Sequence, residues 1–367
     1  MPQNRQKTTE TSVSSMGKAA SLPQKRVLHK KVLIGAVVAT MVLGLALGLG
    51  IGLTIGRRSH DPDPSQHPEP PHISLSPGTT ALPWTPKVND TWQIALLKPP
   101  LVAADLSSTT PDVAIFDVDL FDTPAETVKT LHDLGKKVIC YFSAGSFEDW
   151  RPDVGSFQAA DKGKDLDGWP GEKWLNISSE NVRSIMKSRV ELASEKTCDG
   201  VDPDNVDGYV SSQDLVADPP LTCVQDNDNG LGLTSDDSVA LMEFLFSVSR
   251  PLNLTLGLKN AGRIIPAVLP FTDFSVNEQC VQYNECEKFQ SFIQAGKPVF
   301  HIEYPNQNDN SDAALETELV NKACGNGQES NTGGFSTVLK RENLDGWVEY
   351  CNSEVATTPL RDSSSQK

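Results

Sequence analysis

The chain has 367 residues, with 32 basic against 48 acidic side chains and a formal net charge of −16. Residues 1–58 hold nine Lys/Arg and one acidic residue, so the remainder carries 23 basic and 47 acidic side chains, a balance of −24. A field of that sign repels nucleic acid and other polyanions and favours cationic partners, while the length admits one large domain or two ordinary ones.

Residues 1–31 read as a basic tail. Residues 32–56 follow without a charge or a proline, long enough to cross the roughly 30 Å hydrocarbon core as one transmembrane helix. The apolar region of a cleaved signal peptide runs only about 7–15 residues, so this stretch reads as an uncleaved signal anchor. Lys18, Lys25, Arg26, Lys30 and Lys31 precede it, and only Arg57 and Arg58 follow closely. The asymmetry keeps the N-terminus cytosolic and exports the rest, a single-pass type II protein of the plasma membrane or cell surface. Residues 57–85, rich in Pro, Ser and His, form a semi-extended stalk. Residues 86–352 form one domain, expected to be a monomeric ectodomain, and 353–367 a disordered polar tail.

Within 86–352, short β-branched apolar runs alternate with longer amphipathic stretches, the pattern of βα units. Eight runs stand out: 113–119, 137–143, 173–178, 199–205, 254–260, 274–279, 298–304 and 334–340. Helices are expected at 124–134, 179–195 and 235–249, the last opened by Ser235 with Asp236 and Asp237 in its first turn. Eight such units in a domain of this size predict an α/β fold of the (β/α)8 TIM barrel type, with a doubly wound open sheet as the alternative.

The strand ends are polar. They carry Asp117 and Asp119, Tyr141 and Ser143, Asp202 and Asp204, Lys259 and Asn260, Asn277 and Glu278, and Glu303 and Tyr304. Any one of these fits a turn, where Asp is common. Six ends together place more negative charge on one barrel mouth than turns require, and such charge needs a partner. Residues two apart on a strand share a face, so Asp202 points with Asp204 and Asp117 with Asp119. Two carboxylates, one kept protonated and the other ionised, are what glycoside hydrolysis requires.

Other chemistries find less support. The stretch "QDNDNG" (225–230) misses the calcium-loop spacing: with Gly230 in the glycine place Gln225 stands where the first Asp should be, and with Asp226 first the glycine falls one place early. Phosphate-binding glycine motifs and a Gly-x-Ser-x-Gly elbow are absent, and no cysteine or histidine spacing fits zinc, so neither metal nor cofactor is expected. The seven cysteines suit an oxidising compartment. Cys140 reads as a buried free thiol. The other six allow fifteen pairings, of which Cys280–Cys286, Cys198–Cys223 and Cys324–Cys351 are preferred. Asn89, Asn176 and Asn253 lie in glycosylation triplets.

The motifs "CDGVDPDNVDGY", "LTLGLKNAG" and "FSVNEQCVQYNEC", together with "DVDLFDT" and "GKKVICYFSAGSFEDWRPD", resemble glycoside hydrolase family 114, the endo-α-1,4-polygalactosaminidases. The resemblance spans about residues 85–352. It implies a barrel that cuts α-1,4-galactosaminidic bonds inside a cationic, galactosamine-containing exopolysaccharide of the galactosaminogalactan type, as in biofilm matrix. It places the catalytic pair on Asp204, as nucleophile or base, and Glu278, as general acid, with Asp202 the alternate to Asp204. Asp117, Asp119, Tyr141, Lys259, Glu303 and Tyr304 are then expected to line sugar subsites. Trp150, Trp169 and Trp174 are stacking faces or packed core. The acidic loop 211–234 is longer than the resemblance leads one to expect and would clamp a cationic chain or occlude the groove. A non-catalytic glycan-binding surface protein on the same barrel is the alternative; an Asp and a Glu on two different strands favour the enzyme. The preferred acetylation pattern and the choice between retention and inversion are not legible.

Overall fold

Seven of the eight apolar runs become parallel strands of one curled sheet, and an eighth strand comes from a segment the pattern reading passes over. The computed structural model describes residues 82–102, 107–209, 229–305, 316–325 and 330–361. All fall in the compact unit Leu75–Lys367. The basic tail, the expected membrane span, most of the stalk and most of the 211–234 loop lie outside the described residues. Among those residues no helix is long and apolar enough to cross a membrane.

In chain order the elements are β1 (Trp92–Ala95), β2 (Ile115–Asp119), α1 (Ala125–Asp133), β3 (Lys137–Ser143), β4 (Ser146–Glu148), β5 (Lys162–Asp165), β6 (Glu172–Leu175), α2 (Glu180–Glu195), β7 (Gly200–Asp204), α3 (Ser235–Ser249), β8 (Thr255–Lys259), α4 (Ile265–Val268), β9 (Phe274–Glu278), α5 (Cys286–Gln294), β10 (Val299–Glu303), α6 (Thr317–Cys324), β11 (Ser336–Leu339), β12 (Trp347–Tyr350) and β13 (Val355–Thr357). Strands β1, β2, β3, β7, β8, β9, β10 and β11 pair in that order, all parallel. The two ends of this run approach each other: Trp92 Nε1 donates to the Ser336 carbonyl at 2.8 Å, Lys340 Nζ to Gln93 Oε1 at 3.0 Å, and the Leu96 amide to the Leu344 carbonyl at 3.0 Å. The architecture is a curled parallel sheet with helices outside, consistent with a (β/α)8 glycosidase fold.

Strand alternation sorts the side chains into two cores. Ile94, Ile115, Ile139, Phe274, Val276, Phe300 and Ile302 fill the concave side. Val118, Val138, Cys140, Val201 and Leu258 pack outward against helix residues such as Leu131, Met186 and Leu245. Burial on both faces is why the strands read as near-continuous apolar runs. Because side chains alternate, Asp117 and Asp119 lie on the same side as Ile115, and Glu278 on the same side as Phe274 and Val276. The polar strand ends therefore cap an apolar interior. Gly257 shares that face with Lys259; a Cβ there would sit 2.3 Å from the Phe274 ring, so only glycine lets the ring fill the interior beneath the lysine.

Several expectations are corrected. The run 173–178 yields β6, which joins β4 and β5 in a small antiparallel sheet of order β4–β6–β5, outside the parallel sheet. Its two charged residues, Glu172 and Lys173, set it apart from the near-continuous apolar runs of the twice-buried strands. The strand that takes its place in the count is β1. Its Gln93 is fully buried, donating to the Gly346 carbonyl and to Thr358 Oγ1, partners more than 250 positions away that the sequence pattern cannot show. The chain also stays ordered beyond residue 352: β13 pairs with β12, and Leu360 bridges to Pro100. Helix α3 starts at Ser235 as expected, and the residue that caps it is Thr234, with Asp237 closing the reciprocal capping box.

Cys140 is not a free thiol. It pairs with Cys198, while Cys280–Cys286 and Cys324–Cys351 form as expected. Cys140 projects from the outer face of β3 toward the end of α2, where Cys198 follows; an apolar run conceals such a partner. Cys223 lies outside the described residues. Peptide mapping of the unreduced protein is expected to recover a Cys140–Cys198 cross-link, and a Cys198–Cys223 link would contradict this topology.

Candidate active site

The C-terminal ends of the parallel strands open into a cleft of about 1220 Å³, where parallel α/β barrels place their chemistry. At its floor Lys259, from β8, is almost completely buried. Its ammonium lies 3.2 Å from Glu278 Oε2, 3.5 Å from Asp204 Oδ2 and 3.9 Å from Asp202 Oδ2. Burial alone would drive the proton off Lys259, but the charges of Asp204, Glu278 and Asp202 more than reverse this and hold it firmly cationic.

Asp204 ends β7. Its Oδ2 accepts from the Tyr141 hydroxyl at 2.8 Å and its Oδ1 from the Asn205 amide at 2.8 Å. Glu278 ends β9; it accepts from the Tyr304 hydroxyl and, at 3.1 Å, from Asn260 Nδ2. Burial would raise the Glu278 carboxyl, but the Lys259 charge and the Tyr304 and Asn260 donors hold it below the usual range. Both carboxylates touch one ammonium, so their near oxygens are no farther apart than about 6.7 Å, the sum of 3.5 Å and 3.2 Å.

Of the residues expected here, Asp119, Tyr141, Asp204, Lys259, Glu278 and Tyr304 line the cleft. Asp119 does so with its oxygens engaged: Oδ2 pairs with Arg151 at 2.7 Å, and Oδ1 accepts the Phe121 and Asp122 amides. Asp117, Asp202 and Glu303 do not reach it. Glu303 faces outward, because it is the neighbour of the inward Tyr304 on an alternating strand. It accepts the Val281 amide at 2.8 Å and lies 2.9 Å from His301 Nε2. Cys280, Cys286 and His301 gather beside it, but the two sulfurs are bonded to each other. Trp174 is packed at 5 % exposure, whereas Trp150 and Trp169 stand open at 53 % and 56 %.

Asp117 and Asp202 lie beneath the cleft with no exposure at all. None of their four carboxylate oxygens has a hydrogen-bond donor among the described residues. Neither carboxyl is favoured as an anion there: burial and the charge of Asp202 push Asp117 well up, and burial pushes Asp202 up to about 7. Asp202 is thus closed to substrate, which separates it from Asp204. Pattern reading also misses a string of polar contacts along the wall. Ser146 Oγ donates to Glu172 at 2.8 Å and accepts from Asn205 Nδ2 at 2.8 Å. Burial moves Glu172 up to about 7. The Asn of "DPDN" is the available signal, since Asn205 sits at φ 59°, a left-handed conformation that Asn tolerates.

The raised carboxyls have a consequence for stability. Asp117 and Asp202 stay protonated when folded at pH values where an unfolded chain has lost those protons. The contribution of Asp202 is full below the ordinary carboxylate pKa and is lost as pH rises through about 7. Thermal melts of an Asp117→Asn, Asp202→Asn variant are therefore expected to decline less steeply than wild type between about pH 5 and 8. Parallel Tm–pH curves would contradict raised carboxyls at these two positions.

Comparison with known proteins agrees with this geometry. The model of glycoside-hydrolase family GH114 matches residues 74–356. Among solved structures, Aspergillus fumigatus Ega3 in complex with galactosamine is similar at 49% identity and TM-score 0.64, covering 74% of this chain and 99% of that one. The glycoside hydrolase domain of PelA from Pseudomonas aeruginosa is similar at 12% identity and TM-score 0.49, over 74% of this chain and 99% of that one. A comparison with curated proteins finds no match. With its family model spanning nearly the whole ordered unit and a shared-ammonium carboxylate pair in the cleft, the chain belongs to glycoside-hydrolase family GH114 and is a glycoside hydrolase.

Proposed function

We propose that the enzyme cuts α-1,4-galactosaminidic bonds within a cationic, galactosamine-containing exopolysaccharide of the galactosaminogalactan type. The observation that carries this reading is Lys259 bridging Asp204 and Glu278 on the floor of an acidic cleft, in a chain 49% identical to a relative crystallised with galactosamine. The cleft lies in a domain whose chain carries a −24 balance outside its first 58 residues, a field that draws in a polyammonium chain. The curled sheet is read as a full (β/α)8 barrel.

Asp204 is assigned as nucleophile and Glu278 as acid and then base. Glu278 hands its proton to the glycosidic oxygen as Asp204 attacks the anomeric carbon, giving a glycosyl ester. Glu278 then takes a proton from water, which displaces Asp204. Retaining enzymes keep the two carboxyls about 5–5.5 Å apart and inverting ones about 6.5–9.5 Å; the upper bound of about 6.7 Å between the near oxygens admits the retaining spacing, and retention is the reading adopted. In the free site Lys259 and Tyr304 draw Glu278 toward its anion. A bound polymer covers the remaining exposed fifth of its side chain and raises the carboxyl by desolvation. The chain is further assigned as a monomeric, exported type II membrane protein with residues 32–56 as anchor, supported by the apolar span and its basic flank.

The exported domain is expected to shorten partly deacetylated galactosaminogalactan and to leave cellulose and chitin intact; mass spectrometry of the products checks this, and cleaved chitin with intact galactosaminogalactan would overturn it. Glu278→Gln should lower kcat by about 10²–10⁴-fold with Tm nearly unchanged. The basic limb of kcat, which reports the substrate complex, is expected at higher pH than that of kcat/KM, which reports the free enzyme; coincident limbs would remove the desolvation step.

A further inference from the structure

Six large apolar side chains stand exposed on the described surface, and three of them, Leu97, Trp150 and Trp169, line the catalytic cleft. Exposed indole rings concentrated at one mouth point to a ligand with apolar faces. The two tryptophans sit on neighbouring turns of the small antiparallel sheet, Trp150 after β4 and Trp169 between β5 and β6. The turns interlock. The Asp149 amide donates to the Gly171 carbonyl at 3.2 Å, and a Cβ on Gly171 (φ +97°) would lie 3.1 Å from Trp150 Cζ3. Glycine thus lets the first ring seat against the turn that carries the second. Next to Trp150, the buried Arg151 grips both oxygens of Glu148 at 2.8 Å and Asp119 at 2.7 Å. That pins the platform to the end of β2, so it is formed before a ligand arrives.

Four exposed carboxylates, Asp122, Asp165, Asp167 and Glu342, line the same cleft, with Asp165 paired to Lys173. A galacto-configured ring has an axial O4, which leaves the hydrogens on C3, C4 and C5 on one apolar face. Such a face stacks on indole while an amino group at C2 finds a carboxylate. We propose that Trp150 and Trp169 form a remote subsite that holds sugars distant from the bond being cut, by stacking galacto-configured rings whose ammonium groups pair with the acidic rim. This rests on the substrate reading above and adds the feature that favours internal cleavage: binding strength then grows with the number of rings on each side of the reacting pair.

The test compares wild type with Trp150→Ala, Trp169→Ala and Gly171→Ala on a long partly deacetylated galactosaminogalactan and on a short oligosaccharide of the same linkage. Each ring removed is expected to lower kcat/KM on the long chain about three- to tenfold more than on the short one, and to shift early products toward smaller sizes. Gly171→Ala should reproduce part of the Trp150→Ala effect. Polymer binding is measured separately on Glu278→Gln, with and without the tryptophan changes. Equal losses on long and short substrates, with unchanged polymer binding, would overturn the platform. Should wild type fail to cut either substrate, the functional reading falls while the binding arm still decides the platform: a weaker hold on the polymer sustains it, an unchanged one removes it.

Discussion

A buried ammonium, Lys259, faces Glu278, Asp204 and Asp202 within 3.9 Å, and the site is arranged around it. Removing one cation and three carboxylates from water is costly, and only mutual attraction with nearly complete hydrogen bonding offsets it. The fold meets that demand from below and above. Below, Gly257 leaves space for Phe274, so the lysine rests on packed apolar side chains. Above, the Tyr141 and Tyr304 hydroxyls and the Asn205 and Asn260 nitrogens take up the outward lone pairs of the two carboxylates. Asp202 is the exception. It is left to Lys259 at 3.9 Å, and burial favours its protonated form.

That division of labour gives each acid a distinct part. Asp202 and Asp117 are sealed beneath the cleft and act on the charge balance. Asp204 and Glu278 stand at its floor, on strands with one strand between them, and are the two carboxylates a sugar ring can meet together. The wall on one side is the inserted sheet of β4, β5 and β6. It is tied back to the sheet by Arg151 and continues to Asp204 through Glu172, Ser146 and Asn205. Changes in that insertion therefore reach Asp204 through hydrogen bonds rather than through packing alone.

Much of this was legible in residue order. Polar pairs after apolar runs marked the strand ends, and alternation alone grouped Asp202 with Asp204. The same rule, applied to Glu303 and Tyr304, excludes one of them, because adjacent strand residues cannot share a face; the structure keeps Tyr304. What remained hidden depends on distant partners. Gln93 looks like a break in a strand until Lys340 and Thr358 arrive beside it. Cys140 looks like a core thiol until α2 brings Cys198 to it. Run 173–178 mimics a barrel strand because it too buries adjacent apolar side chains, Trp174 and Leu175. The depth of Asp117 is likewise a property of the sheet's curl, which no spacing encodes.

The account stands most directly on which side chain bonds to the sugar. Trapping the enzyme with a 5-fluoro aminosugar fluoride, followed by peptide mass spectrometry, reads this in one measurement. A glycosyl adduct on the peptide bearing Asp204 is the expected result. An adduct on Glu278 would reverse the two roles, and release of product with inverted anomeric configuration and no adduct would contradict the double-displacement geometry altogether.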